Sequence, residues 1–176
     1  MILRLLLQRK GIPGLRWSSF VSHCISVSGK VVIQNSSLTD NDKMKLEHNW
    51  RFKTLEQLEK DVWGPDTYGS KLTSTINRLR KKVLNDFSIE DLRITIGQQM
   101  GLPYLVPLAI EVLKENLFAE GDLYEGDLLN AVLSIDGKFW RDNREYWNTV
   151  NSLIKTKKQK VMQMKIDTDS FYTNKP

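Results

Sequence analysis

Apolar residues recur every three or four positions along most of the chain after residue 50, and this spacing predicts helices. The densest stretch runs from Ser88 to Leu133, where Ile89, Leu92, Ile96 and Met100 would form one buried stripe. No two stretches alternate apolar and polar residues strongly enough to predict a paired sheet. The pattern therefore predicts an all-α fold, a single compact bundle of about six helices.

Local signals mark where several of these helices begin and end. Thr54 and Gln57 have the spacing of a capping box, and Ser88 precedes two acids that suit the first turn of a helix. Gly101 suits a left-handed turn between two helices. The last helix of the bundle is expected to break near Asn143. These signals divide the predicted bundle into its elements.

Apolar and aromatic residues surround the first predicted helix. Val62 falls on its apolar face, and Trp50, Phe52 and Trp63 are expected to pack into the core. An aromatic recognition surface is the alternative interpretation of the same rings.

The second predicted helix carries a run of cations. Arg78, Arg80, Lys81 and Lys82 are expected to form a solvated helix face, with their charges toward the favourable C-terminal end. A phosphate-binding patch is the alternative, but the run lacks the interleaved aromatic residues that such a patch uses.

The formal net charge of +5 is concentrated at the two ends of the chain. Residues 1–43 and 156–176 both carry more Lys and Arg than Asp and Glu, whereas residues 44–155 are slightly acidic. A basic body that reads phosphates is not what this distribution predicts.

The ends also differ from the body in composition. Residues 1–43 are rich in Arg, Ser and Leu, which is typical of an organelle transit peptide. The interpretation that we favour is a disordered or non-native upstream extension, with translation beginning at Met44. Residues 156–176 are predicted to be a fraying helix followed by a disordered tail.

The residues that catalysis or metal binding would need are sparse. The chain has one cysteine, Cys24, and two histidines, His23 and His48, all before the predicted bundle. No glycine-rich phosphate loop is present, and no apolar run is long enough to span a membrane. We therefore predict a protein that is not an enzyme, with no cofactor, no metal and no membrane association.

One segment is dominated by acid. Six carboxylates lie between residues 111 and 127 against the single cation Lys114. Asp127 is expected to cap the next helix, and an acid–base pair of Asp122 and Asp127 is the weaker alternative. Clustered carboxylates around an aromatic residue suit a basic partner. The candidate binding residues are Glu111, Glu115, Glu120, Asp122, Tyr124, Glu125 and Asp127.

Three strings in one order resemble a known family. They are NWRFKTLEQLEKDVWG, INRLRKKVLNDFSIEDLRITIGQQMGLPYLVPLAIEVL and LFAEGDLYEGDLLNAVLSID, followed by FW. Together they are similar to the immunity proteins of bacterial contact-dependent growth inhibition (CDI) systems, from about His48 to about Ile154.

This resemblance implies a helical immunity-protein domain over residues 44–155, acting in the cytoplasm. Its partner would be the cognate toxin domain of a large surface protein, often a nuclease, whose active site it would cover. Two other functions stay open from the residues alone. One is a small helical nucleic-acid-binding regulator that uses the basic segments, and the other is an organelle-imported adaptor.

Overall fold

The computed structural model describes residues 48–64 and 69–176, so the extension predicted over residues 1–43 lies outside the described residues. Two short 3-10 helices, Trp50–Phe52 and Leu84–Asp86, precede α1 and α3. The α-helices of the described residues are α1 (Leu55–Glu59), α2 (Lys71–Arg80), α3 (Ile89–Gly97), α4 (Leu102–Glu115), α5 (Asp127–Leu133), α6 (Gly137–Asp142), α7 (Arg144–Thr156), α8 (Lys158–Gln163) and α9 (Asp169–Thr173).

The prediction of an all-α fold is confirmed. Across the described ranges the chain forms helices, and its only β pairing there is an isolated bridge between Thr54 and Val83. The six predicted helices correspond to α1 through α7, because the last of them is broken at Asn143 into α6 and α7. Helices α8 and α9 come after these six.

Side-chain caps begin two helices where the sequence predicts them. Thr54 and the side chain three residues later each bond the other's backbone N–H at the start of α1. Ser88 and Asp91 form the same capping box at the start of α3. Between α3 and α4, Gly101 has a φ of 60°, and a Cβ there would lie 2.7 Å from Leu55 Cδ2. Both its conformation and its close packing therefore require glycine.

The core lies where α3 packs against α4 and α5, while α7 lies against α4. Each of these helices contributes apolar side chains that are fully buried. Burying one such side chain stabilises a fold by about 1.5–3 kcal/mol. Representative members of the core are Ile96, Leu105, Leu128, Leu129 and Val150.

The expectation that Phe52 and Val62 are buried is wrong. Phe52 is 71% exposed and Val62 is 77% exposed, although Trp50 is buried as predicted. Helix α1 ends early, because Lys60 adopts a left-handed conformation with a φ of 53°. The chain therefore leaves the helix before Val62 could join its apolar face. Phe52 and Trp50 lie in one 3-10 turn. A 3-10 helix has about three residues per turn, so side chains separated by two positions point in different directions.

The prediction that the four cations Arg78, Arg80, Lys81 and Lys82 are solvated is wrong for Arg80, the last residue of α2, which is 2% exposed. Its guanidinium donates to the Glu59 carboxylate and, at 2.7 Å, to the backbone carbonyl of Asp61. The same group lies 4.4 Å from the ring centroid of Trp63. The pairing and stacking offset part of the cost of burying this guanidinium, whose Nε has no hydrogen-bond partner among the described residues.

The prediction of a disordered tail after residue 156 is also wrong. Residues 157–176, the C-terminal strap, contain α8 and α9 and return to the body of the protein. Phe171 is fully buried, stacked at 5.0 Å on Trp147 and edge-on at 5.6 Å to Trp140. The Trp147 indole N–H also donates to the carbonyl of Phe171. One well-packed ring thus fixes a segment whose polar sequence suggests disorder.

Candidate functional site

The acidic loop, residues 117–126, joins α4 to α5 and has a buried base and an exposed tip. Leu117, Phe118 and Ala119 are buried at its beginning. The N–H of Gly126 donates to the carbonyl of Phe118 at 3.1 Å and closes the loop. Residues 122–125 are exposed between these fixed points. The loop therefore consists of a buried base and a largely exposed tip, residues 120–125.

Two carboxylates hold three consecutive backbone N–H groups of this tip. The buried carboxylate of Asp127 accepts from Gly121 N at 2.7 Å and from Leu123 N at 3.2 Å. The N–H between them, that of Asp122, donates to Glu90 Oε2 on α3 at 2.9 Å. Hydrogen bonds to ionised carboxylates are stronger than neutral ones, so they restrain the backbone of the tip.

Arg93 completes this arrangement, which we call the interlock: Glu90, Arg93, Asp127 and the three amides. Arg93 donates to Glu90 from Nε at 2.6 Å and from Nη2 at 2.5 Å, and its Nε lies 3.6 Å from Asp127 Oδ2. The hydrogen bond from Arg93 lowers the pKa of Glu90, although partial burial acts in the opposite direction. The same hydrogen bond raises the pKa of Arg93. Both groups are therefore held in their charged forms.

Gly121 is at the closest point of the interlock. A Cβ at this position would lie 2.5 Å from Glu90 Oε2 and 3.0 Å from Asp127 Oδ2. Any larger residue would displace at least one carboxylate that is already bonded elsewhere. Gly121 is therefore required by close approach rather than by an unusual φ.

The C-terminal strap supports the loop from another direction. Lys160 Nζ lies 2.6 Å from Glu125 Oε1 and 4.3 Å from the ring centroid of Phe118. Gly126, with a φ of 87°, is so close to the strap that a Cβ would lie 3.1 Å from Ile166 Cδ1. Contacts from α3, α5 and α8 thus all restrain one loop.

The seven candidate residues differ in their burial and in the contacts that they make. Asp127 does not cap α5, whose N-cap is Gly126; it is 2% exposed, and its carboxylate turns back to the loop. Glu125 is paired with Lys160. Tyr124 is exposed, and its hydroxyl accepts from Asn130 Nδ2 at 2.8 Å. These contacts leave the side chains of Glu120 and Asp122 as the exposed carboxylates of the tip without a salt bridge to any described residue.

Glu111 and Glu115 belong to a different surface. Glu111 accepts a two-pronged contact from Arg51, at 3.0 Å from Nη1 and 2.5 Å from Nη2. Both glutamates line an open groove of about 210 Å³ on the side of α3 that carries Leu92. Residues two apart on a helix do not share a face, so this is not the side on which Glu90 holds the loop. The other residues that line the groove are Arg51, Leu84, Asn85, Phe87, Leu108 and Val112.

Sequence reasoning missed three residues that shape the site. The sequence marks Glu90 and Arg93 only as part of a helix start and of a family string, because nothing local indicates that they reach a loop some thirty residues later. Leu123 is not among the seven candidate residues, because the signal in this segment is the charge of its neighbours. The available signal was the pairing of two family strings, EDLR and AEGDLYEGD, which meet in the interlock.

Within residues 48–64 and 69–176, no group of three or more His, Cys, Asp or Glu side chains could hold a metal ion. No helix in those ranges is long and apolar enough to cross a membrane.

The fold and the site together define a small helical protein with an acidic surface loop whose backbone is held by two carboxylates. A family model described as CDI immunity proteins matches residues 57–150, which is more than half of the chain. The chain therefore belongs to the family of CDI immunity proteins, and the resemblance seen in its sequence is confirmed. No curated protein and no solved structure matches the chain. All side chains of the interlock lie inside the matched range, and the C-terminal strap lies outside it.

Proposed function

We propose that this protein binds and neutralises the toxin domain encoded with it in a contact-dependent growth inhibition system. It would act in the cytoplasm by covering a functional surface of the toxin, and would make and break no bond itself. The family match over residues 57–150 is the observation that carries this proposal. The interlock supports it, because so many contacts are devoted to fixing one surface loop rather than to lining a catalytic cavity.

We further propose that the toxin is a nuclease and that the acidic side chains meet its basic cleft. Carboxylates on a protein surface can take the place of nucleic-acid phosphates toward Lys and Arg. The residues proposed for this contact are Glu120, Asp122, Tyr124 and Glu125 of the acidic loop, and Glu115 is proposed for a second contact at the groove. Asp127 would act through the loop, by holding its backbone, and Glu111 would act at the groove together with Arg51.

The proposal is tested by mixing the full chain with the toxin domain encoded beside its gene. Isothermal calorimetry should show a saturable complex, and co-expression should restore the growth of cells that produce the toxin domain. Absence of binding together with absence of protection would contradict the proposed function. A nuclease assay on the isolated toxin domain decides separately whether nucleic acid is its substrate.

The alternative function is a nucleic-acid-binding regulator that uses the basic segments. Two of the four cations in the run from Arg78 to Lys82 are held in internal contacts. Arg80 is buried, and Lys82 Nζ lies 2.6 Å from the Asp91 carboxylate. Arg78 and Lys81 are the exposed cations that remain in the run. A gel shift with random duplex DNA and RNA at physiological salt should therefore show no complex with this protein.

A further inference from the structure

The tip of the acidic loop exposes a large apolar side chain on a restrained backbone. Leu123 is 61% exposed, yet its own N–H is held by the buried carboxylate of Asp127. An exposed leucine on a mobile loop can cover itself by local collapse. Here the interlock keeps the side chain in water, because the amides on both sides of Asp122 are tied to one carboxylate.

The neighbouring ring is held in the same manner. Tyr124 is half exposed, and the hydrogen bond from Asn130 to its hydroxyl limits where the ring can point. Leu123 and Tyr124 are therefore two consecutive exposed side chains with large apolar surfaces at the tip. Tyrosine is enriched among the residues that contribute most to protein–protein affinity.

Carboxylates flank this apolar pair on both sides. Glu120 and Asp122 precede it and Glu125 follows it, and all three are exposed. Lys160 neutralises only Glu125, so the tip keeps a net negative charge. A complementary surface would have an apolar depression at its centre and Lys or Arg side chains around its edge.

We propose that Leu123 and Tyr124 form the anchor of the complex and insert into an apolar pocket, edged by basic side chains, on the toxin domain. This inference rests on the proposed function and adds to it the part of the surface that provides most of the affinity. Restraint of the free loop matters because a side chain that is already in position loses little conformational freedom on binding.

The anchor is tested with the full chain and the toxin domain by surface plasmon resonance, using Leu123→Ala and a matched control. Leu72→Ala removes the same atoms from a leucine that is 40% exposed on α2. Leu123→Ala should raise the Kd by about tenfold or more, mainly through faster dissociation. Leu72→Ala should leave the Kd within about twofold of the wild type, the change expected of a residue outside an interface.

The outcomes separate the anchor from the function beneath it. If the wild-type chain fails to bind, the proposed function itself is contradicted. If the wild type binds and Leu123→Ala binds equally well, or if Leu72→Ala loses as much affinity, the anchor is wrong. Hydrogen exchange on the free protein tests the restraint: the amides of residues 121–123 should be protected, and exchange at the rate of an open peptide would overturn it.

Discussion

At the scale of single residues, Gly121 determines the form of the acidic loop by having no side chain. The methyl group of Gly121→Ala would push away Glu90 Oε2, which Arg93 and Asp122 N already hold. We expect a loss of about 1–3 kcal/mol in the free energy of unfolding, because displacement leaves a charged hydrogen bond unmade. Urea denaturation followed by circular dichroism measures this loss.

A second glycine provides the control. Gly97 ends α3, and an added Cβ there would meet no atom within 4 Å. Gly97→Ala should therefore stabilise the protein slightly, by about 0.5 kcal/mol, because alanine loses less backbone entropy in a helix. Equal stabilities for the two variants would show that the interlock contributes nothing.

The pKa shifts of two neighbouring carboxylates predict a dependence of stability on pH. The pKa of Glu90 is lowered from its ordinary value near 4.5, chiefly by its hydrogen bond from Arg93. Burial would raise the pKa of Asp91, but hydrogen bonds from Lys82 and Ser88 outweigh burial and leave it lowered. Because both folded pKa values lie below those of the unfolded chain, the stabilisation is complete above about pH 5 and is lost as the pH falls through the folded values.

The corresponding experiment compares unfolding of the wild type and Glu90→Gln by urea between pH 7 and pH 3. The wild type should be the more stable at pH 7, and the difference should shrink as the pH falls below about 4.5. Glu115→Gln, at an exposed position without a salt bridge to any described residue, should follow the wild type throughout. A difference for Glu90→Gln that stays constant over this range would contradict the prediction.

At the scale of elements, the C-terminal strap depends on Phe171. Phe171→Ala removes a ring that is fully buried between two tryptophans and should cost about 3–5 kcal/mol. Met162→Ala, at an exposed position on α8, should cost less than about 0.5 kcal/mol. Thermal or urea unfolding measures both, and a strap that contributes nothing would give the two variants the same midpoint.

The helices themselves could largely be predicted, because their signals are local. The capping boxes at Thr54 and Ser88 and the break at Asn143 each depend on residues within one helical turn. The early end of α1 could not be predicted, because Lys60 has no glycine-like signal for its left-handed conformation.

The misses share a physical cause, which is a partner distant in sequence. The local sequence predicts that Arg80 is solvated, but in the fold Glu59 and Asp61 lie beside it and pair with its guanidinium. The local sequence predicts that Phe171 belongs to a polar tail, but in the fold it stacks on Trp147, which lies 24 residues earlier. Charge in the sequence indicates six of the seven candidate site residues, but their roles depend on contacts between α3 and the loop that residue spacing does not predict.

At the scale of the whole molecule, the position of charge should matter more than its total. Reversing two exposed carboxylates of the tip, with Glu120→Lys and Asp122→Lys, should slow association with the toxin domain by about tenfold at low salt. The effect should weaken as added salt screens the charges. Stopped-flow or surface plasmon resonance measures the association rate over a range of ionic strength.

A double variant with the same change in net charge is the control for this experiment. Asp86 and Asp142 are exposed on Leu84–Asp86 and α6, and Asp86→Lys with Asp142→Lys should slow association much less. Equal slowing by the two double variants would mean that only the total charge matters. An association rate that neither changes would exclude the acidic loop from the encounter with the toxin.

The interlock holds the loop through hydrogen bonds to its backbone, so the amino-acid sequence of the loop can vary at some positions. Every amino acid except proline supplies the N–H that Asp127 and Glu90 hold at residues 122 and 123. The side chains of residues 122 and 123 can therefore be exchanged without rebuilding the support beneath them. If the toxin partner changed during evolution, point substitutions at these two positions could change the surface that the loop presents. The backbone conformation of the loop would stay the same.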